Sequence, residues 1–199
     1  MLKVELPEGG TRLLLHCCCA PCSGAIIECL LANGIRPAVF FSNSNIYSEA
    51  EYEKRKAEIE RYARSQGLEV IDDEYDHCGW LSGDGQDAGC GEPAMRVLPE
   101  RAERCLRCFK YRLRRAAQWA ASNGYDTLTT SLASSRWKDL KQVEEAGEWA
   151  CSQVEGVKFW AQNWRKGGLQ ERRSQIIREQ QFYNQDYCGC EFSLRKNSD

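Results

Sequence analysis

Histidine is scarce in this chain, with only His16 and His77 among 199 residues. A three-histidine metal centre, or one built from two histidines and a carboxylate, is therefore hard to assemble. Neither a G-x-G-x-x-G nor a G-x-x-x-x-G-K-[ST] pattern occurs, which argues against the glycine loops that cradle phosphate in dinucleotide and ATP sites. The net charge is only −2, so the chain is not a generally basic nucleic-acid coat, although a local patch remains open. No apolar run approaches membrane-spanning length, and the first ten residues, with Glu5, Pro7 and Glu8, hold no signal-peptide stretch. These absences predict a soluble, cytoplasmic protein with no membrane partner. There is no internal repeat or low-complexity linker, and the length suits one core. We expect a single domain over residues 1–199, with a C-terminal extension from about residue 165 that completes the cysteine site.

Cysteine, by contrast, is abundant, at 12 residues. In a chain expected in a reducing compartment, metal or catalytic thiols explain that number better than a disulfide framework. Four thiols crowd into Cys17-Cys18-Cys19-Ala20-Pro21-Cys22, between the apolar run Leu13-Leu14-Leu15 and a helix-start signal at Ser23. A helix beginning there aims its unpaired amides at the loop, where thiolates are stabilised. Two further pairs are Cys105-Leu106-Arg107-Cys108 and Cys188-Gly189-Cys190. Residues three apart share a helix face, so Cys105 and Cys108 can address one ion or cluster. Glycine between Cys188 and Cys190 permits backbone angles that let both sulfurs face one metal or close a strained disulfide. Cys29 and Cys151, isolated on expected helices, read as buried thiols, and Cys78 and Cys90 lie in a loop.

The hydrophobic pattern alternates strand and helix. Strands are expected at Leu13 to Leu15, Ala38 to Phe41, Leu68 to Ile71, Thr127 to Leu132 and Lys158 to Ala161. Helices are expected from Ser23 to Leu31, Glu49 to Gln66, about Arg101 to Ser122, Leu140 to Val154 and Leu169 to Gln180. Asp72 to Pro99, rich in glycine, reads as a long irregular loop, and Tyr183 to Phe192 has no clear period. The order implies an α/β fold, a parallel sheet flanked by helices with a cysteine-rich loop after strand 1. Asn43 and Asn45 follow the second strand, and Ser135, Arg136 and Lys138 follow the fourth, where such folds place ligand contacts. Lys110, Arg112, Arg114 and Arg115, and Trp164-Arg165-Lys166 continuing to Arg172-Arg173, are candidate basic patches, with a solvated helix face and a charged loop as the plainer reading. His16, at a strand end, reads as hydrogen-bonded scaffold.

Seven motif thiols, Cys18, Cys19, Cys22, Cys105, Cys108, Cys188 and Cys190, exceed the four of one closed zinc site. An iron–sulfur cluster beside a second metal or a redox pair uses the surplus.

The motifs His16-Cys17-Cys18-Cys19-Ala20-Pro21-Cys22-Ser23, Asn43-Ser44-Asn45-Ile46-Tyr47, Tyr75-Asp76, Glu103-Arg104-Cys105-Leu106-Arg107-Cys108-Phe109 and Gln185-Asp186-Tyr187-Cys188-Gly189-Cys190 follow one another in order. With them, the sequence resembles the cobalamin-independent epoxyqueuosine reductase family, QueH, over most of its length. The resemblance implies a fold similar to the nucleotide α-hydrolase (PP-loop-like) sheet, with metal-binding cysteines in place of the ATP loop. It implies reduction of epoxyqueuosine, at the wobble position of tRNA, to queuosine, the last step of that biosynthesis, with a [4Fe-4S] cluster and an adjacent mononuclear iron. The electron donor is left unspecified. On this basis Cys18, Cys19, Cys22, Cys105 and Cys108 are assigned chiefly to metal, and Cys188 and Cys190 to further ligation or a redox-active disulfide. Asp76 is the candidate acid or proton donor, with an ordinary loop carboxylate as the plainer reading; Asn43 and Asn45 are candidate contacts to the modified base or caps of the next helix; and Ser135, Arg136 and Lys138 are candidate contacts to tRNA phosphates. The chain departs from the pattern at Ser135-Arg136-Trp137-Lys138, where many members have Ser-Pro-His-Lys, so a histidine proton donor is absent; Cys17 adds an extra thiol that could replace a neighbour as ligand. The rival readings are a PP-loop-type tRNA sulfur transferase, which needs ATP, and a zinc-stabilised RNA-binding module.

Overall fold

The computed structural model describes residues 2–82 and 94–194. Its strands are β1 (Leu13–Cys17), β2 (Ala38–Phe41), β3 (Val70–Asp72), β4 (Thr127–Thr130) and β5 (Lys158–Phe159). They form one parallel sheet in the order β3-β2-β1-β4-β5, with Leu15 opposite Val39 on one side of β1 and His16 opposite Thr130 on the other. β1, β2 and β4 are buried along their whole length, as expected for a parallel sheet covered on both faces. The helices are α1 (Ala20–Ala32), α2 (Glu49–Ser65), α3 (His77–Ser82), α4 (Ala94–Val97), α5 (Glu103–Ser122), α6 (Leu140–Ser152) and α7 (Leu169–Glu179). α1 packs against α2 and α7, and α5 packs against α6, forming two helical layers. The α/β architecture expected from the sequence is therefore present. Among the described residues no helix is long and apolar enough to cross a membrane.

The strand order reverses at β1, which pairs with β2 on one side and β4 on the other. The crevice at the carboxyl ends of β1 and β4 is the switch point where doubly wound sheets hold ligands. The cysteine run follows β1, and a 3-10 turn, Ser131–Ser134, follows β4.

Several boundaries differ from the sequence reading. α1 starts at Ala20, three positions before the expected cap Ser23, with Cys19 at its N-cap and Pro21 in its first turn. The fixed φ of proline suits that turn, where its missing amide costs nothing. The strand expected at Thr127 to Leu132 stops at Thr130, because the Leu132 amide turns back to the Thr130 hydroxyl at 3.1 Å. The expected loop Asp72 to Pro99 contains α3 and α4. Asp76 starts α3 by accepting the Gly79 amide at 2.8 Å. Cys78 sits on α3, and Cys90 lies outside the described residues.

The basic stripe of α5 is not a solvated face. Arg112 is buried, Arg115 pairs with Asp73 and Lys110 with Glu145, so its charges are directed inward or neutralised. In the later stretch Trp164 is buried, and Arg172 is held between Glu28 and Glu179.

Candidate metal centre

The sulfurs of Cys18, Cys19 and Cys22 lie within 4.8 Å of one another, and all three residues are buried. Among the described residues no other group brings three cysteine, histidine or carboxylate ligand atoms so close. The helix start produces this cluster. With Cys19 as N-cap, Cys22 comes round three residues later on the first turn, while Cys18 remains on the loop leaving β1. Cys18 and Cys19 sulfurs are 3.9 Å apart, near the ~3.8 Å separation that two thiolates adopt at ~2.3 Å from one tetrahedral metal. The donor set therefore suits a thiolate-bound metal or cluster. Cys17, the last residue of β1, is buried outside this group, and burial pushes its thiol well above the ordinary value.

The 3-10 turn after β4 frames the triad from the other side of the crevice. The Cys18 amide donates to Ser131 Oγ at 2.9 Å, the same hydroxyl donates to Cys18 Sγ at 3.3 Å, and Ser134 Oγ donates to the Cys22 carbonyl at 3.0 Å. Negative charge settles on Cys18. Hydrogen bonds from the Cys19 and Cys22 thiols hold it well below the usual cysteine range, and Lys138 and Arg112 help against the opposing effect of burial. The same bonds push Cys19 and Cys22 upward. Burial opposes the charge of Lys138, but the fields of Cys18, Cys22 and Cys188 outweigh it and raise its value.

Cys105 and Cys108 occupy the first two turns of α5. The Cys105 sulfur accepts the Arg101 amide at 3.2 Å, and burial raises both thiols. Cys108 packs with Trp80, Tyr111 and Cys190 in a small second apolar cluster. Cys188 and Cys190 are free thiols, the first exposed and the second buried. Their mutual hydrogen bond, its largest cause, lowers Cys188 well below the ordinary value and raises Cys190. Gly189 holds φ +105°, and a Cβ there would lie 2.8 Å from Ile46 Cγ1. The Cys-Gly-Cys turn thus nests against the loop after β2, where Tyr47 donates its amide to the Gly189 carbonyl at 2.9 Å and Asn45 reaches the Cys188 carbonyl at 3.5 Å.

His16 is scaffold. Its Nε2 lies 3.1 Å from the Ser42 carbonyl and its Nδ1 2.8 Å from Thr130 Oγ1. A carbonyl can only accept, so Nε2 carries the proton and Nδ1 accepts from the hydroxyl. Burial, with Arg112 nearby, holds the ring neutral by lowering its pKa to about 3.

Asn43 is spent within the protein, donating to the Cys17 carbonyl at 2.9 Å and accepting from Arg112. Asn45 Oδ1 is buried with no hydrogen-bond partner. Asp76 accepts the Tyr111 hydroxyl at 2.8 Å in addition to the Gly79 amide. Ser135 and Lys138 sit on a turn whose two carbonyls accept from Arg165 at 2.6 and 2.7 Å, and Arg136 is exposed at its tip.

Sequence reasoning missed three members of this arrangement. Ser131 was absorbed into the expected strand. Arg165 read as part of a charged loop. Arg112, only 3% exposed, donates to the Ser42 carbonyl at 3.2 Å and to Asn43, and none of its ion-pairing distances to a carboxylate falls within 4 Å among the described residues. Its spacing of four from Cys108 on the same helix was the available signal.

A family model described as epoxyqueuosine reductase QueH matches residues 13–196. Among curated relatives named epoxyqueuosine reductase QueH, that of Histophilus somni is 44% identical over 193 residues, covering 97% of this chain and 76% of the relative. That of Haemophilus influenzae is 42% identical over 196 residues, covering 98% and 77%. That of Acinetobacter baylyi is 40% identical over 194 residues, covering 98% and 85%. The matched span runs from the first residue of β1 past the Cys188–Cys190 turn, so it takes in the sheet, the buried triad and both further cysteine pairs, and the chain belongs to the epoxyqueuosine reductase QueH family.

Proposed function

We propose that this protein reduces the epoxide of epoxyqueuosine in tRNA to the cyclopentene of queuosine, the last step of queuosine formation. The observation that carries this reading is the buried Cys18, Cys19 and Cys22 triad at the switch point of the sheet. The overall change consumes two electrons and two protons and releases the epoxide oxygen as water. When bound, a [4Fe-4S] cluster would relay the two electrons, one at a time, from an external reductant, and an adjacent iron would be the Lewis acid that polarises the C–O bond. We assign Cys18, Cys19 and Cys22 to hold it together with Cys105 and Cys108, and Cys188 and Cys190 to further ligation or to a dithiol pair that passes electrons.

The chain's own residues prepare the site. Lys138 and Arg112 place positive charge beside the thiolates, which favours the deprotonated sulfurs that metal requires. Asn45 Oδ1, buried and unpaired, offers an acceptor to a hydroxyl or base N–H of the modified nucleoside, an atom whose isolation otherwise costs about 1–3 kcal/mol. Asp76 is the acid assigned to the departing oxygen; the Tyr111 hydroxyl fixes its orientation beside the cluster containing Cys108 and Cys190. Arg136, exposed at the tip of its turn, is the residue we assign to the phosphates, whereas Lys138, expected there from the sequence, is turned toward the thiolates instead. One domain, with its C-terminal segment carrying Cys188 and Cys190, forms the whole site.

Mass spectrometry of tRNA from cells lacking this protein tests the reading. Epoxyqueuosine should accumulate at the wobble position. Undiminished queuosine in a cell with no second enzyme for this step would overturn it.

A further inference from the structure

Large aromatic side chains are almost all covered in this protein. Among the described residues only two aromatics stand exposed, Tyr47 at 47% and Trp137 at 70%. Both lie on loops at the carboxyl edge of the sheet, one after β2 and one after β4. β2 and β4 are the two neighbours of β1, whose own loop carries the cysteine triad. The exposed rings therefore flank the candidate centre on opposite sides. Two isolated apolar residues on a surface need no explanation in general, but this placement, combined with how each ring is presented, does.

Each ring projects from backbone that is held independently of it. Lys138 donates its amide to the Ser135 carbonyl at 3.2 Å, closing a turn with Arg136 and Trp137 at its tip. Arg165 then clamps the Ser135 and Lys138 carbonyls. Lys138 points its charge toward Cys18, Cys22 and Cys188 while Trp137 faces solvent. The Arg136 guanidinium lies 5.2 Å from the Trp137 ring centroid. On the other side, Tyr47 is held through its amide by the Gly189 carbonyl and through its carbonyl by the Tyr187 hydroxyl at 2.7 Å. Its ring stands 5.7 Å from His77. Aromatic platforms held by their backbone are how proteins hold splayed single-stranded bases.

We propose that Tyr47 and Trp137 are stacking platforms for the two RNA bases on either side of the reacting nucleotide, an assignment that rests on the tRNA reading above. Platforms on both sides of the loop that carries the cysteine triad suit a strand whose central base leaves the stack and descends toward the cysteines while its two neighbours are held. Arg136 adds charge complementarity to the adjacent phosphate.

The test uses the full, metal-loaded chain and an anticodon stem–loop RNA carrying epoxyqueuosine next to a fluorescent purine analogue. Wild-type protein should quench the analogue on binding. Trp137→Ala and Tyr47→Ala should each weaken binding about 5- to 150-fold, and the variant that lost the platform on the analogue's side should lose the quench. Trp137→Phe and Tyr47→Phe should recover most of both, and metal content should match wild type throughout. Unchanged affinity and quench in both alanine variants, in protein that still reduces the RNA, would overturn the platforms and leave the proposed function standing. Alanine variants that bind weakly, in a protein that never reduces the epoxide, would support the platforms and sink the reaction. A change of oligomeric state by light scattering with RNA affinity intact would assign these rings to contact between copies of the chain and overturn the proposal, and wild-type protein that fails to bind the RNA would overturn both readings.

Discussion

Ser131 and Cys18 are joined twice: the Cys18 amide donates to the serine hydroxyl at 2.9 Å, and that hydroxyl donates to the cysteine sulfur at 3.3 Å. One side chain therefore satisfies the backbone at the end of β1 and steadies the sulfur that carries the triad's negative charge. Ser131→Ala leaves a buried amide without a partner, and we expect metal-free protein to lose about 1–3 kcal/mol of stability. Urea unfolding measures this, and a loss below ~0.5 kcal/mol would show that the pair is incidental.

The triad and the isolated thiols should separate cleanly in metal content. Cys18→Ser, Cys19→Ser and Cys22→Ser each remove one of three sulfurs lying within 4.8 Å of one another, and each should abolish stable iron and sulfide in anaerobically isolated protein. Cys105→Ser and Cys108→Ser should also lose metal and activity if the α5 pair contributes ligands as assigned. Cys151, 7% exposed on α6, has burial as the only influence acting on its thiol. Cys151→Ser should keep full metal content, and loss there would mean that the centre extends further than the triad and the two pairs.

Arg112 should act on the same centre through charge. A buried guanidinium is costly unless something negative answers it, and its field here falls on Cys18 and Cys108. An opposite charge at close range is worth about 1–3 pKa units to a thiolate. Arg112→Met should therefore weaken metal retention about tenfold or more against a competing chelator, whereas Arg112→Lys, which keeps the charge, should recover part of the loss. Equal retention in all three proteins would remove Arg112 from the electrostatics of the site.

The elements that the sequence made legible were those whose local signal and tertiary role agree. Leu13-Leu14-Leu15 is apolar on every residue because β1 lies at the centre of the sheet, and Phe109, Leu113, Ala116, Ala117 and Ala120 trace the buried face of α5. The cysteine run was recognisable for similar reasons, since four thiols in six residues leave few alternatives. What escaped depends on partners distant in the chain. Arg112 resembles its neighbours Lys110 and Arg115 in sequence, and only the arrival of the Ser42 carbonyl and Asn43 beside it makes it interior. Ser23 carries a good cap side chain, but Pro21 favours an earlier start, and the cap falls on Cys19. That Cys18, Cys19 and Cys22 close on one another within 4.8 Å likewise comes from where α1 begins and not from spacing alone.

His16 makes the metal-free protein acid-sensitive in a predictable window. Its imidazole is neutral in the folded state, with a pKa lowered from 6.5 to about 3, whereas in the unfolded chain it titrates normally. Between those values the unfolded state binds the extra proton, so stability rises with pH there and is lost as pH falls from about 6.5 toward 3. Above 6.5 both states are neutral and the residue contributes no slope. The full difference is on the order of 5 kcal/mol, a large share of the 5–15 kcal/mol that holds a typical domain folded. Asp126, on which burial is the largest single influence and acts upward, is nevertheless lowered to about 2 by the combined hydrogen bonds of the Thr11 and Thr127 hydroxyls and the Thr11 and Arg12 amides, and it adds a separate loss at lower pH. His16→Gln keeps a donor for the Ser42 carbonyl without a titrating ring. Its unfolding free energy, measured by urea titration of metal-free protein, should be flatter than wild type between pH 6.5 and pH 4.5, above the range where Asp126 contributes. Parallel pH profiles in that interval would show that the ring is already charged in the folded state and that its hydrogen bonds run differently from the tautomer assigned here.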